Sequence, residues 1–465
     1  MTAPRRIVIL GGGFAGVSCG QELTRLLRRA GRLTSGRRPQ PGGDVEIVLV
    51  NRDNYFVFQP LLADIISGAI ETTHVVVPLR RMLPDARVLV GNADAIDPAS
   101  RTVRVRSRSS GEPVTIGYDA LVIALGSVTD FGAVPGMAEH AVGIRTLGDA
   151  FYLRNRALDM LEEAALELDP DRRQRLLTFV VVGGGSTGVE VAAELRDLLA
   201  LATRSFHLPL TLAPRVVLVH SRPYVLSEFG ERLGRYATKR LRSLGVELLL
   251  DRRLVRVDTD RAELDDGSTI QAATVVSTVG NAPHPLLVDL PTQKDARGWL
   301  SPDATFALRL VERVWALGDC ASIIDPQTGR PMPATAQHAV REGPAAARNV
   351  LAVLDGRSPR PFHYGQLGML VSLGRRRGVG EIFGLQVSGR LGWFLWRSYY
   401  LLRLPTLERR VRVALDWTLE LFLSHDIVEI NVRRSRTRPG EEPGEVPGEP
   451  VSVGAREDTQ DELVL

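Results

Sequence analysis

Apolar residues along this chain gather into short unbroken runs that end on glycine, and the first run sets the pattern. "IVIL" (7–10) has no alternating polar positions, and it stops at "GGGFAG". An apolar run of this length reads as a strand buried on both faces, as in a parallel sheet covered by helices. Helical spacing follows to about residue 30. The same strand–glycine–helix signature returns at "LTFVVVGGGSTGVEVAAEL" (177–195), a weak internal repeat. Further buried strands are predicted at "VEIVLVN" (45–51), "DALVIAL" (119–125), "RVVLVHS" (215–221), "GVELLL" (245–250), "ATVVSTVG" (273–280) and "RVWALGDCA" (313–321). Helices are expected over 147–168 and near 228–244, and short strands with turns over 362–383. Residues 31–43 are a polar loop rich in Gly, Pro and Arg. Strands alternating with helices in this way predict an α/β fold of two interleaved Rossmann-like units.

Composition narrows the class. At 465 residues the chain is long enough for two or three domains. With 44% hydrophobic and 24% charged residues it is an ordinary globular protein. A net charge of only +4, with both signs mixed, excludes a protein that coats nucleic acid. The two cysteines, Cys19 and Cys320, form no C-x-x-C pair and no metal spacing, so neither a disulfide framework nor a metal site is expected. Arg5 and Arg6 lead straight into the first strand without a signal peptide, and no apolar run reaches spanning length, so a cytoplasmic protein is expected.

The glycines carry the candidate chemistry. Gly11, Gly13 and Gly16 fit G-x-G-x-x-G: one for the tight turn, one for close approach of a pyrophosphate, one for helix–strand packing. The helix start supplies N–H donors and a dipole for phosphate. Asn51, with Arg52 beside it, ends the next strand where an acid often grips a ribose; Asn does so without charge. Gly183, Gly185 and Gly188 repeat the motif. Two such loops imply two dinucleotides, most simply a flavin and a nicotinamide. Glu190, taken as two residues into the second helix, either complements the helix dipole or serves the chemistry. Gly318 and Asp319 place a carboxylate at the end of a strand, where it can accept from a ribityl or ribose hydroxyl.

"GGGFAG", "NYFVFQPLL", "LVIALGS", "GGGSTGVEVAAEL", "WALGDCA" and "ATAQHA" occur in the order found in type II (non-proton-pumping) NADH:quinone oxidoreductases, and the chain resembles that family from about residue 5 to residue 430. The resemblance implies hydride transfer from NADH or NADPH to FAD, then two electrons onward to a quinone. By position it implies that Gly11, Gly13, Gly16, Asn51, Arg52, Gly126, Gly318 and Asp319 bind FAD. Gly183, Gly185, Gly188 and Gly280 would bind the nicotinamide dinucleotide. Glu190 would lie near flavin and nicotinamide, and Ala336 and Gln337 beside the isoalloxazine and quinone. Glu190, Gln337 or His338 would organise water for quinone protonation. The implied order is a first FAD-binding part (1–140), an NAD(P)H-binding domain (141–285), a second FAD-binding part (286–385), amphipathic helices (386–432) and a disordered acidic tail (433–465).

Two departures stand out. Arg341 occupies the place of the family's second glutamine. His220 occupies that of a ribose-binding glutamate; with Arg222 it forms a potential cation cluster for the 2′-phosphate of NADPH, or else both are solvated and NADH is the donor. The cysteine positions match no redox pair, which sets aside disulfide and sulfide:quinone reductases.

Residues 389–423 interleave Trp393, Phe394, Trp396, Tyr399, Tyr400 and Trp417 with arginines, and Pro405 divides them into at most two helices. Such a segment suits a bilayer interface, which would place the protein peripherally on the cytoplasmic face of the cell membrane. The alternative is a helical pair packed on the flavin domain or forming a homodimer interface. Two other functions stay open at this point: a soluble flavin reductase serving another acceptor, and a flavin-binding redox sensor.

Overall fold

The computed structural model describes residues 3–430 except 35–39, 109, 207–212, 366–367, 375 and 424–425; the expected tail lies outside the described residues. Two five-stranded, all-parallel sheets organise the molecule. In the first, the spatial order is Val314–Ala316, Ala120–Ile123, Arg5–Leu10, Val45–Asn51, Arg87–Val90. In the second it is Ala141–Gly143, Thr274–Ser277, Thr178–Val182, Arg215–His220, Val246–Leu250. One edge strand of the first sheet arrives only after the whole second sheet has been laid down. The units are therefore interleaved.

The unbroken apolar runs have a direct cause. Ile7, Ile9, Ile47 and Leu49 point into one core, while Val8, Leu10, Val48 and Val50 point into another. Each sheet is thus buried on both faces, and alternation would have placed polar groups in one of them. The outer face of each sheet is covered by a small antiparallel sheet. Val103, Val105 and Ile116 do this for the first, and Leu254, Val257, Ala262 and Leu264 for the second. Strands Ser127–Thr129 and Asn281–Pro283 pair antiparallel where the chain passes between the two halves.

Helix starts and stops follow local chemistry. Helix Leu147–Leu166 begins with a capping box between Thr146 and Asp149, and helix Gly230–Leu244 stops at left-handed Gly245, φ 87°. After the antiparallel strands Gly368–Ser372, Gly378–Ile382 and Leu385–Ser388 come helices Gly389–Arg403 and Leu407–Leu419, separated at Pro405. Trp396, Leu404, Val413 and Trp417 are buried, so the pair is fastened to the body through part of its surface.

Candidate active site

A cavity of about 670 Å³ runs from the first glycine loop to the start of helix Ala336–Leu354. Gly11 has φ 105°, and a Cβ there would fall 2.1 Å from the Ala124 carbonyl oxygen. A Cβ on Gly16 would fall 1.9 Å from the Gly11 carbonyl oxygen, so helix Phe14–Arg29 packs against its own loop only because that position is bare. A Cβ on Gly13 would meet nothing within 4 Å; the space there is open to a ligand. Asn51 braces the loop: its Oδ1 accepts from Gly12 N–H at 2.8 Å, and its Nδ2 donates to the Asp53 carbonyl at 2.8 Å. One lone pair and one N–H stay available for a ribose. Arg52, Gly126, Gly318, Asp319 and Ala336 line the same cavity.

Sequence reasoning missed two residues that set up Asp319. Arg145 donates to the Ser127 carbonyl at 2.7 Å and to Asn281 Oδ1 at 2.8 Å, and lies 3.4 Å from the Asp319 carboxylate. One guanidinium thereby ties together strands Ser127–Thr129 and Asn281–Pro283 and the cavity carboxylate. Burial raises the Asp319 carboxyl, and Arg145 opposes that rise. Glu342 Oε2 accepts from Gly318 N–H at 2.7 Å and fixes the turn that presents Asp319. Burial pushes the Glu342 carboxyl up to about 7. A lone Arg and a lone Glu carry no motif, so neither had a signal to find it by.

The second loop repeats the first in detail. Gly183 has φ 110°, a Gly188 Cβ would fall 1.9 Å from the Gly183 carbonyl oxygen, and the nearest atom to a Gly185 Cβ would be 4.0 Å away. His220 takes the part of Asn51: its Nδ1 accepts from Gly184 N–H at 3.1 Å. An imidazole that accepts at Nδ1 is neutral and carries its proton on Nε2. Burial also lowers its pKa. The expected cation at this strand end is therefore corrected: His220 is a neutral loop brace, and of the pair only Arg222 is charged. Gly280, φ 73°, lies beside Asn281 at the crossing between the halves.

Glu190 lies elsewhere. Helix Ser186–Ser205 makes it the fifth helical residue, deeper than its expected place two residues in, and outside the first turn where a capping or dipole role operates. Its Oε1 accepts from Ser372 N–H at 3.0 Å. Burial pushes its carboxyl up to about 8; the Ser372 N–H and Trp396 oppose the rise and Asp64 adds to it. Asp64 and Glu194 are buried, and burial raises both carboxyls; Glu420 adds to the rise at Asp64, and Asp64 and Asp197 add to it at Glu194. Helix Gly389–Arg403 also meets a second cluster: Gln337 Nε2 donates to Tyr399 Oη at 3.2 Å, and Tyr364 Oη donates to Gln337 Oε1 at 3.0 Å. Arg341 stacks on the Tyr364 ring, 4.3 Å to its centroid. The substituted arginine thus packs along the edge of the Gln337 network.

Residues 5–343 match the family model of the pyridine nucleotide-disulphide oxidoreductases. A type II NADH:quinone oxidoreductase of Mycobacterium tuberculosis is 31% identical over 435 residues, 90% of this chain and 88% of that one. The chain belongs to the type II NADH:quinone oxidoreductases. An internal alternative NAD(P)H-ubiquinone oxidoreductase of Arabidopsis thaliana mitochondria is 30% identical, covering 91% of this chain and 86% of its own. In fold, NDH2 of Plasmodium falciparum solved with NADH superposes with a TM-score of 0.81 at 17% identity, covering 91% of this chain and 99% of that one.

For a type II enzyme the cofactors are FAD and NADH or NADPH, and the residues present fit both. Each loop offers bare backbone at its second glycine and a long helix beginning there. The first cavity adds the Asp319 carboxylate for a hydroxyl and the start of helix Ala336–Leu354, whose dipole favours electron density at the ring end. Thiol chemistry has no seat here: Cys19 and Cys320 are both buried, and burial pushes each thiol up to about 12. Gly13 tests the first loop cleanly. It has ordinary extended backbone, φ −82°, and free space at Cβ, so Gly13→Val keeps the fold and blocks only the ligand. The purified variant should show wild-type circular dichroism and no flavin absorbance; a normal flavin spectrum would place FAD elsewhere.

Proposed function

We propose that this chain takes a hydride from NAD(P)H and delivers two electrons to a membrane quinone without pumping protons, working as a peripheral enzyme on the cytoplasmic face of the membrane. Bound FAD supplies the two-electron carrier. Gly11, Gly13, Gly16, Asn51, Arg52, Gly126, Gly318 and Asp319 hold it. Gly183, Gly185, Gly188 and Gly280 hold the nicotinamide dinucleotide against it, and Ala336 and Gln337 flank the acceptor end.

Helix Gly389–Arg403 is the observation that carries this reading. Its inner side brings Tyr399 onto Gln337 and Trp396 and Tyr400 next to Glu190. Its outer side exposes Leu391, Phe394 and Leu402. Helix Leu407–Leu419 continues the apolar surface with Leu407, Val411, Leu415 and Leu419 at four-residue spacing, each at least half exposed. Arg390, Arg403 and Arg412 are exposed among them. Among the described residues no helix is long and apolar enough to cross a membrane. An apolar stripe with arginines beside it fits a helix lying in the interface, its side chains at acyl depth and its guanidinium groups at the phosphates. The acceptor end then opens where a quinone arrives from lipid. This continuity favours a lipid surface over a second copy of the chain as what covers the stripe.

Quinone reduction consumes two protons, and Glu190 is placed to supply one. Its carboxyl titrates near 8, so it is neutral and carries a proton below that pH and is ionised above it. The rate of flavin reoxidation by a short-chain quinone, followed by stopped flow, should fall as pH rises through about 8. In Glu190→Gln the step should be slower at pH 7 and lose that inflection; an unchanged profile would remove Glu190 from the proton path.

The membrane face is tested by a Leu407→Glu/Val411→Glu/Leu415→Glu variant. It should float free of anionic vesicles that bind wild type even at high salt, while dye reduction by NADH stays the same. A variant that remains on vesicles but changes from dimer to monomer would make the stripe a subunit interface.

A further inference from the structure

If the second glycine loop holds the nicotinamide dinucleotide, the end of strand Arg215–His220 should read its adenosine ribose. His220 does not do so here. Its Nδ1 is taken by Gly184 N–H, its ring lies 2.7 Å from where a Gly184 Cβ would be, and its Nε2 is buried beside the Tyr224 backbone. The ring is a brace inside the loop and offers the dinucleotide no acceptor.

An acid stands close by, from a different element. The chain turns back after the strand, and Leu226 N–H donates to the Gly184 carbonyl at 2.7 Å, pinning the turn onto the glycine loop. Leu226 is fully buried and left-handed, φ 54°, a conformation that a branched residue holds only when its surroundings impose it. Two residues on, the exposed Glu228 carboxylate accepts from Ser186 Oγ at 3.0 Å, and it is the nearest group, at 4.0 Å, to a Cβ placed on Gly185. Gly185 is where the dinucleotide backbone must come closest, and Ser186 is the first residue of the helix behind it.

We infer that Glu228 is the nucleotide-specificity residue of this enzyme: the ribose-reading acid has moved from the strand end to the turn that follows it. This rests on the second loop being the nicotinamide site. One Glu228 oxygen accepts from Ser186 and the other is open to a ribose hydroxyl of NADH. A 2′-phosphate bound beside the same carboxylate would meet a like charge, and like charges at short range repel. Arg222 is exposed and, like Glu228, acts electrostatically on His220, so it is the competing cation at this strand end; Arg232 donates to the Gln386 carbonyl, and Arg252, whose N–H bonds the His220 carbonyl, is drawn off to Asp266 at 2.6 Å. NADH is therefore the preferred donor.

Binding separates this from a structural role. Oxidised NAD⁺ and NADP⁺, which cannot reduce the flavin, are titrated calorimetrically into the purified holoenzyme, wild type and variants. Wild type should bind NAD⁺ at least tenfold more tightly than NADP⁺. Glu228→Gln should tighten NADP⁺ about tenfold and weaken NAD⁺ several-fold. Equal weakening of both nucleotides would mean that Glu228 only holds Ser186, and would overturn the inference. So would a ratio moved by Arg222→Ala and not by Glu228→Gln. Wild type that binds neither nucleotide would instead refute the assignment of the second loop itself.

Discussion

A pyrophosphate is held most closely by bare backbone, and that requirement shapes both halves of this molecule. Backbone N–H groups reach a phosphate only where no Cβ intervenes, and the helix that supplies them must start within the same few residues. At Gly16 and Gly188 an added Cβ would lie 1.9 Å from a carbonyl oxygen of its own loop, so glycine is the one residue that lets helix and strand close up. At Gly13 and Gly185 the same geometry leaves open space instead. Each loop is steadied by a side chain from the next strand's end, Asn51 in one half and His220 in the other, accepting from the second backbone N–H of the loop. The buried sheets, their double apolar faces and their small covering sheets carry these two loops, and Arg145 ties strands Ser127–Thr129 and Asn281–Pro283 together between them.

The acceptor side obeys a different constraint. Carboxyl groups drawn out of water hold their protons more tightly, and the half-buried Glu190 accepts from a hairpin N–H beneath an aromatic helix, with its carboxyl pushed up to about 8. The same helix covers Gln337 through Tyr399 and shows leucine and phenylalanine to the outside. On the reading proposed above, proton supply, acceptor access and surface attachment share this one element.

Much of this was legible in the residues. Apolar runs ending on glycine announced the parallel sheets, because burial on both faces removes alternation. The paired G-x-G-x-x-G loops announced two dinucleotides, because the bare positions are fixed by contact and cannot drift. Pro405 marked the break between the last helices. What stayed hidden depends on contacts across the sequence. Arg145 and Glu342 act through distant partners, Asn281 and Gly318, and no spacing rule points to either. His220 suggested a cation because residue type is visible in a sequence and tautomer is not; only the Gly184 N–H at its Nδ1 makes it neutral. Glu190 looked like a cap until the helix start was set at Ser186.

The central claim is that a quinone takes the electrons a nicotinamide brings. It is tested most directly by following the flavin band of the purified holoenzyme without oxygen. One equivalent of NADH should bleach it, and one equivalent of a short-chain quinone should then restore it fully. A flavin that NADH bleaches, that quinone leaves reduced and that a soluble dye promptly reoxidises would contradict the account and make the protein a soluble-acceptor reductase.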